Sequence, residues 1–500
     1  MLGLLNFSAF KRRLQQGVAG PLVVGLVWRL IAAASGFGWF AIDDYLFAIE
    51  KAALWQTEPH AAFDCAYRST LVPRLMSWLL RVGHLCVGPD PAYALQVAYG
   101  VLGIASSASI LAAYHIARLG AGLRAARTSA WLVACYVIMP RICTRALLES
   151  ICMLPVSLSV WALLQSAAEP QSAPHRRHLQ AFASAVLCGL GAMVRFQVGI
   201  LMLPLAIYAW RIGRWARLGS FLAGGLVACL AQGALDMAEG RPALATPWRY
   251  VQYNMQHASQ YGVSPIYTYV LQCVMLTLPP ACLLLGPWAW ARACRHNKLS
   301  FWLCLWFVAV HSLIAHKEDR FLFPILPLLL VLMGTALALE PHKQTFANRW
   351  PPRCYAFGKR LFWCINTLGL VVCSLSDAQR NWTVPLLRIA RATPPGQIRR
   401  LAVIEPDVVP SYYLDGRASW QGFADVPAFY QATLQSKQQV DYVLLRALPD
   451  AQAQAMLTDL GCGAPARFEG DWVDRLLVRV NRHNHRRAAT TLLRCTPKSR

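Results

Sequence analysis

His316-Lys317-Glu318-Asp319-Arg320-Phe321 lies between two apolar runs, residues 301–314 and 321–339. A helix of about 20 apolar residues crosses a bilayer, so five consecutive ionisable side chains stand at the mouth of a membrane helix. Such a cluster is either a site for an anionic head group or a solvated loop between two spans. His316, Lys317 and Arg320 supply cations, and Glu318 and Asp319 supply carboxylates.

The rest of the chain repeats this alternation of apolar run and charged junction. Of 500 residues, 56% are hydrophobic and only 14% charged, against about 25% charged in soluble domains. Apolar runs cover residues 20–40, 92–117, 128–140, 146–167, 179–194, 196–210, 216–238, 266–291, 300–315, 320–339 and 358–376. They predict an all-α polytopic membrane protein of about eleven spans. The first run is too long for the core of a signal peptide and lacks a small-residue cleavage site, so it reads as a retained span.

Basic residues orient the spans. Lys11, Arg12 and Arg13 precede the first span and place the N-terminus in the cytoplasm. Alternation then puts Arg118, Arg124, Arg127, Arg176, Arg177, Arg211, Arg214, Arg217, Arg292, Arg295, Lys298, Lys343 and Arg349 on the cytoplasmic side. The formal charge of +24 is explained in this way without nucleic acid, with anionic lipid as a further partner. The opposite face receives Asp43, Asp44, Arg145, Arg195, the 240–265 loop and the His316–Arg320 cluster. Residues 41–90 form an amphipathic first loop there, with Leu46, Ile49 and Ala53 on one helical stripe and a second helix over 71–80.

Residues 377–500 change in composition. Strands are expected over 401–409, 440–448 and 472–480, and a helix over 450–459. This reads as a small α/β domain on the non-cytoplasmic face, following a membrane domain over 1–376. Sixteen Cys are present, most of them in apolar runs where they act as small hydrophobes. No CxxC pair occurs and Cys462 stands alone in Gly-Cys-Gly, so neither a metal site nor a disulfide framework is inferred. Asn381-Trp382-Thr383 is a glycosylation sequon.

Several polar groups bear on chemistry. Asp43-Asp44 follows the first span; acids there either cap the next helix or provide a general base for an acceptor hydroxyl. Arg68, in Tyr67-Arg68-Ser69, anchors a lipid phosphate or pairs with a leaving phosphate. Arg145 and Glu149 are spaced to pair at i,i+4. Arg195-Phe196-Gln197 joins two spans. Asn254 and Tyr261 lie in the longest non-cytoplasmic loop and suit sugar hydroxyls.

His316-Lys-Glu-Asp-Arg-Phe321 resembles the His-Lys-Glu-x-Arg-Phe motif of the glycosyltransferase family 22 mannosyltransferases, membrane enzymes of GPI-anchor and N-glycan assembly. Ile42-Asp-Asp-Tyr45 is similar to that family's Pro-Asp-Glu-Tyr element, and Tyr67-Arg-Ser-x-Leu-Val-Pro73 to its Ile-Arg-Ser-x-x-x-Pro element. Tyr253-Asn254 with Tyr261-Gly262 resembles the Tyr-Asn…Tyr-Gly loop of the third GPI mannosyltransferase branch. Where that branch has an aromatic Trp-His-Trp run, this chain has Val263-Ser-Pro-Ile-Tyr-Thr-Tyr269.

The resemblance, over about residues 20–340, implies a GT-C fold and an inverting α-mannosyltransferase. It implies a dolichyl- or polyprenyl-phosphate-mannose donor and a lipid-linked glycan or glycolipid acceptor; no cofactor is expected, and the residues present no metal cluster, with a single carboxylate-bound cation left open. On this reading Asp43 is the base, supported by Asp44. His316, Lys317, Arg320 and Arg68 take the donor phosphate. Glu318 either holds the cations in shape or touches sugar hydroxyls, and Asn254, Tyr261, Arg145 and Arg195 meet sugar or acceptor. The membrane is that of the endoplasmic reticulum in a eukaryote and the inner membrane in a bacterium. The alternative is a carrier or flippase for a lipid-linked or anionic solute, which expects charges deep within spans.

Overall fold

The structure is a computed structural model and describes residues 17–63, 65–170, 173–278, 283–339, 352–406, 408–436, 439–480 and 488–496. Lys11, Arg12, Arg13, Lys343 and Arg349, used above to orient the spans, lie outside the described residues, as do residues 279–282 of the eighth expected span. Contacts divide the chain into two units. One comprises Met1–Ile31, Ala62–Arg74 and Gly100–Ser374; the other comprises Ala32–Ala61, Leu75–Tyr99 and Leu375–Arg500.

The first unit is helical. Among the described residues of the chain, five helices are long and apolar enough to cross a membrane, and Ala19–Ala34 and Lys298–Ser312 are shorter apolar helices. Adjacent expected spans fuse where the connecting loop shrinks to a kink. Ala108–Cys135 runs through Gly122 at φ 82°, and Met202–Ala238 runs through Gly213 and Arg214, the latter at φ 52°. Both kinks fall in the basic junctions expected between spans.

The expected span over 266–291 is not one helix. It comprises Thr268–Met275, a short 3-10 turn at Leu283–Leu285, and Pro287–His296. Leu278 and Gly286 have positive φ, and Pro287 opens the next helix. Proline lacks the amide needed to continue a helix but suits its first turn. Hydropathy alone reads straight through such a break.

The centre of this unit is the helix that follows the charged hexapeptide. Asp319–Ala338 is 89% buried over its most apolar window, against 22–56% for the other four long helices. It packs closely on Ala108–Cys135. A Cβ on Gly334 would come within 2.8 Å of the Ser129 amide nitrogen, and the Ser129 hydroxyl donates to the Val331 carbonyl at 3.3 Å. Small residues allow this approach, as is usual between membrane helices. Asn297 adds a hydrogen bond to the Thr335 hydroxyl at 2.9 Å.

Arg29, within the first apolar helix, is fully buried. Its guanidinium donates to the carbonyls of Gly25, Val133 and Ala134 at 3.1–3.3 Å and to the Ser106 hydroxyl at 3.1 Å. Val133 and Ala134 close the helix Ala108–Cys135, so the cation meets carbonyls at the negative end of a helix. Arg29→Ala is expected to leave these acceptors unsatisfied and to cost about 3 kcal/mol. Thermal unfolding in detergent tests this, and an unchanged melting point would remove the structural role.

The second unit holds a five-stranded sheet of order β2-β1-β3-β5-β4. The strands are β1 Arg399–Ile404, β2 Ala418–Phe423, β3 Tyr442–Leu445, β4 Ala466–Phe468 and β5 Thr490–Arg494. β1 pairs in parallel with β2 and β3; β5 is antiparallel to β3 and β4. Ala402, Ile404, Val443, Leu445 and Leu493 pack with Phe429 and Leu457 from two helices. The α/β character is as expected, and Asp450 caps Ala451–Asp459 by accepting from the Ala453 amide.

Two expectations for this region are corrected. Residues 472–480 form a helix, not a strand, because Asp471 Oδ1 accepts the Asp474 amide at 2.8 Å and caps it. Short apolar runs fit both periodicities, and the cap decides between them. Cys462 is not alone: it is disulfide-bonded to Cys495. The Asn381 sequon is buried, and its side-chain amide donates to the Ala488 carbonyl at 2.6 Å, which disfavours its use as a glycan acceptor.

Residues 41–61 and 75–90 of the expected first loop belong to this second unit, together with the adjoining ends of the first two expected spans, 32–40 and 92–99. Helical residues 42–57 contain a π turn at Tyr45–Glu50. Tyr45, Ala48, Ile49, Ala52 and Trp55 are buried, so the inward stripe is shifted from Leu46, Ile49 and Ala53. The Tyr412 amide donates to the Tyr45 hydroxyl at 3.0 Å, and Tyr413 donates to the Phe37 carbonyl at 2.6 Å.

Candidate active site

Glu318 organises the charged hexapeptide. Its Oε2 accepts Arg320 Nε at 2.7 Å, and its Oε1 accepts Arg320 Nη2 at 2.9 Å and lies 3.1 Å from His316 Nε2. The carboxylate therefore takes a two-pronged grip on the guanidinium and also holds the imidazole. Residues Asp319–Ile325 start as 3-10 helix with Glu318 extended before them. That geometry lets residues 316, 318 and 320 converge. Arg320 is buried, where an Arg–carboxylate fork is strong and well oriented.

The other two charges of the hexapeptide tie down neighbouring loops. Lys317 Nζ donates to the carbonyls of Ser264 and Ile314 at 3.0 and 2.6 Å. Asp319 accepts from the Gln272 side-chain amide. Lys317 thus holds the 258–267 segment against the cluster, a role the sequence did not suggest.

Around Phe321 a second group of polar residues gathers. Arg195 pairs with Glu149 at 3.1 Å, both nearly inaccessible to solvent, and its guanidinium lies 5.4 Å from the Phe321 ring centroid. The Gln197 amide donates to the Phe321 carbonyl at 3.3 Å. The i,i+4 reading of Arg145 with Glu149 is corrected: Arg145 and Leu147 are extended between two short helices, so no helical register connects them. Arg145 is fully buried and donates to the Thr144 hydroxyl at 3.4 Å. Arg195-Phe196-Gln197 is more than a junction between spans.

The 62–74 segment and the long 240–265 loop form one wall. Tyr67 stacks on Tyr253 at 3.8 Å, and Tyr253 stacks on His257 at 4.4 Å. The Tyr253 and Tyr261 hydroxyls are hydrogen-bonded, and the Tyr261 ring lies 5.8 Å from His316. Asn254 donates to the Tyr250 carbonyl at 2.8 Å. Arg241 ties the two segments by donating to the Phe63 carbonyl at 3.1 Å, and Arg74 pairs with Glu239 at 2.9 Å. Arg68 is half-buried beside Tyr67. Burial, then the Tyr253 hydroxyl, pushes the Tyr67 phenol well above its usual range, so it stays neutral.

This wall borders a cavity of about 780 Å³ whose lining includes Gln197, Asn254, Tyr261, His311, His316 and Phe321. The remaining lining is largely apolar, with Gly189, Met193, Ile200 and Gly225 among it. A largely apolar cavity lined by His316, which the Glu318 carboxylate ties to Arg320, suits an amphiphile with an anionic head. His257 belongs to the polar 254–262 stretch whose Asn, His and Tyr suit sugar hydroxyls; Tyr67, Tyr253 and Gln197 carry no expected role of their own. Tyr67, Tyr253 and Gln197 do lie inside quoted motifs, and only their mutual contacts raise them above neighbours.

Asp43 and Asp44 lie in the second unit. Asp44 is fully buried, and its Oδ2 accepts the Phe40 and Ala41 amides at 3.2 and 2.9 Å. Its carboxylate fixes the turn that leads into the helix. Asp43, by contrast, is half-buried on that first turn. Further along, Glu50 accepts from the Ser411 hydroxyl. Burial pushes the Glu50 carboxyl up, while Ser411 and Tyr45 hydrogen bonds act the other way.

The fold has a counterpart among solved structures. The crystal structure of ArnT from Cupriavidus metallidurans bound to undecaprenyl phosphate superposes with a TM-score of 0.58 at 15% identity, covering 95% of this chain and 97% of that one. Among curated proteins, GPI alpha-1,2-mannosyltransferase 3 of Danio rerio is 31% identical over 93 residues, 18% of this chain and 17% of the relative. GPI mannosyltransferase 4 of Eremothecium gossypii is 33% identical over 155 residues, 29% of each chain. The matched stretches thus span less than a third of these curated relatives. Over a longer region, residues 63–377, the chain matches the model of the Alg9-like mannosyltransferase family, and it belongs to that family.

Proposed function

We propose that this chain transfers a mannosyl residue from a polyprenyl- or dolichyl-phosphate-mannose donor to a lipid-linked glycan or glycolipid acceptor at the non-cytoplasmic membrane face. The observation that carries the reading is the Glu318 fork holding Arg320 and His316, with His316 lining a largely apolar cavity. An isoprenoid tail needs an apolar cavity, and a departing phosphate needs fixed cations.

In the reaction, Asp43 takes the acceptor hydroxyl proton. The acceptor oxygen forms a bond to the anomeric carbon from the face opposite phosphate. The carbon–oxygen bond to phosphate breaks, and its electron pair leaves with the lipid phosphate, so the anomeric configuration inverts. His316, Arg320 and Arg68 stabilise the added negative charge, while Glu318 restrains cations that would otherwise repel. Asn254, Tyr261, Arg145 and Arg195 contact sugar or acceptor, and the donor is the only small molecule required besides the acceptor. Arg29, a charge deep in a span of the sort a carrier would use, is committed to structural carbonyls.

About eleven spans and a non-cytoplasmic 377–500 region complete the proposal. The Cys462–Cys495 disulfide supports that face, because structural disulfides persist in oxidising compartments. Two measurements test the reading. Purified protein with labelled polyprenyl-phosphate mannose should yield a mannosylated lipid acceptor and free polyprenyl phosphate; donor left unconsumed with every lipid-linked acceptor would overturn the activity. A reporter fused behind residue 500 should read as non-cytoplasmic, and a cytoplasmic signal would overturn the face.

A further inference from the structure

The helix Trp472–Val480 is fastened to the places where two apolar helices end. Ala19–Ala34 and Pro352–Leu375 are the first and last apolar helices described. Just past them, the Phe37 amide donates to Asp377 Oδ1 at 3.3 Å, and a Cβ on Gly36 would meet Asp377 Cα at 2.9 Å. Asp471 joins this junction: its Oδ2 accepts the Ser376 hydroxyl at 2.9 Å and the Asp377 amide at 2.7 Å. The other oxygen of the same carboxylate caps Trp472–Val480. The start of that helix is therefore tied to the residues that directly follow those two apolar helices.

The helix turns an unusual face outward. Trp472 and Leu476 are 48% and 52% exposed, Arg475 and Arg479 are exposed beside them, and Asp474 is buried on the inner side. At 3.6 residues per turn Trp472, Arg475, Leu476 and Arg479 fall within an arc of about 100°, and Leu477, 38% exposed, lies to one side of it. A cavity of about 710 Å³ adjoins this face, lined by Arg380, Arg467, Arg475 and Trp472 together with Asp377, Glu469 and Asp471; Asp377 and Asp471 are engaged in the junction just described. Glu469 pairs with Arg475 at 3.3 Å and Arg467 at 3.5 Å, but both arginine side chains are more than half exposed. Such pairs are weak and screened, so they yield readily to a stronger anion.

We propose that the helix Trp472–Val480 docks on an anionic bilayer surface. Trp472 and Leu476 enter the head-group layer, and Arg475, Arg479, Arg467 and Arg380 take lipid phosphates. Tryptophan favours the membrane–water interface, and a basic amphipathic helix is drawn to anionic head groups. Nine residues bind a membrane poorly alone, but the Asp471 tether makes the encounter intramolecular. This goes beyond glycosyl transfer and requires that the chain sit in a membrane whose leaflet on the side of residues 377–500 carries anionic lipid.

Hydrogen–deuterium exchange of the full chain in nanodiscs tests it, comparing phosphatidylcholine alone with phosphatidylcholine plus phosphatidylglycerol. Exchange over residues 472–480 should slow by at least about fivefold in the anionic discs, the scale of one arginine at such a surface. The double variant Arg475→Gln/Arg479→Gln should lose this protection. Raised salt should remove it from the unmodified protein as well, which keeps the test valid if the variant misfolds. Equal exchange in both disc types, or salt-insensitive protection, overturns the proposal. Protection equally strong in detergent would mean that protein, not lipid, covers this face, and also overturns it.

Discussion

Asp43→Asn should lower mannosyl transfer by at least about a hundredfold, the usual scale for a lost general base. Asparagine keeps the shape of the side chain and removes the basic oxygen. If Asp43 takes the acceptor proton only as the bond to the anomeric carbon forms, turnover falls while the Michaelis constant for donor stays nearly constant. Asp44 provides the internal control. Its carboxylate accepts the Phe40 and Ala41 amides, so Asp44→Ala should lower the melting point through a lost cap, costing about 1 kcal/mol. Steady-state kinetics and thermal unfolding on both variants separate the roles. Full turnover in a folded Asp43→Asn protein would move the base elsewhere.

Arg320→Lys should lower turnover by about a hundredfold or more, as when a preorganised donor to developing charge is lost. Lysine retains the charge but not the planar fork that meets both oxygens of Glu318, so the cation is no longer held in one place. Glu318→Gln should act in the same direction, since an amide cannot neutralise Arg320 while also bonding His316. Lys317→Ala should lose less, because Lys317 Nζ is spent on the Ser264 and Ile314 carbonyls. A phosphate analogue offers a readout apart from turnover: its binding should weaken in Arg320→Lys. If Arg320→Lys transfers mannose at the unmodified rate, the hexapeptide is a structural junction and the phosphate site lies elsewhere.

Residue order alone is enough to read a helical membrane protein with a charged hexapeptide at a helix mouth and a small α/β region following it. Those features are local: apolar run length, basic junctions, and the Asp450 cap before Ala451–Asp459 are each written within a few residues. Tertiary structure decided the rest. Hydropathy cannot tell that Asp319–Ala338 is the buried centre while other apolar helices keep much of their surface exposed, because lipid and protein neighbours demand similar side chains. Nor does residue spacing reveal that Glu149 chooses Arg195, or that Tyr67 stacks on Tyr253; both partners come from distant parts of the chain. Trp472–Val480 shows the same limit within one short segment. Its residues satisfy strand and helix periodicities alike, and what settles the choice is Asp471, held in place by Ser376 and Asp377 nearly a hundred residues earlier.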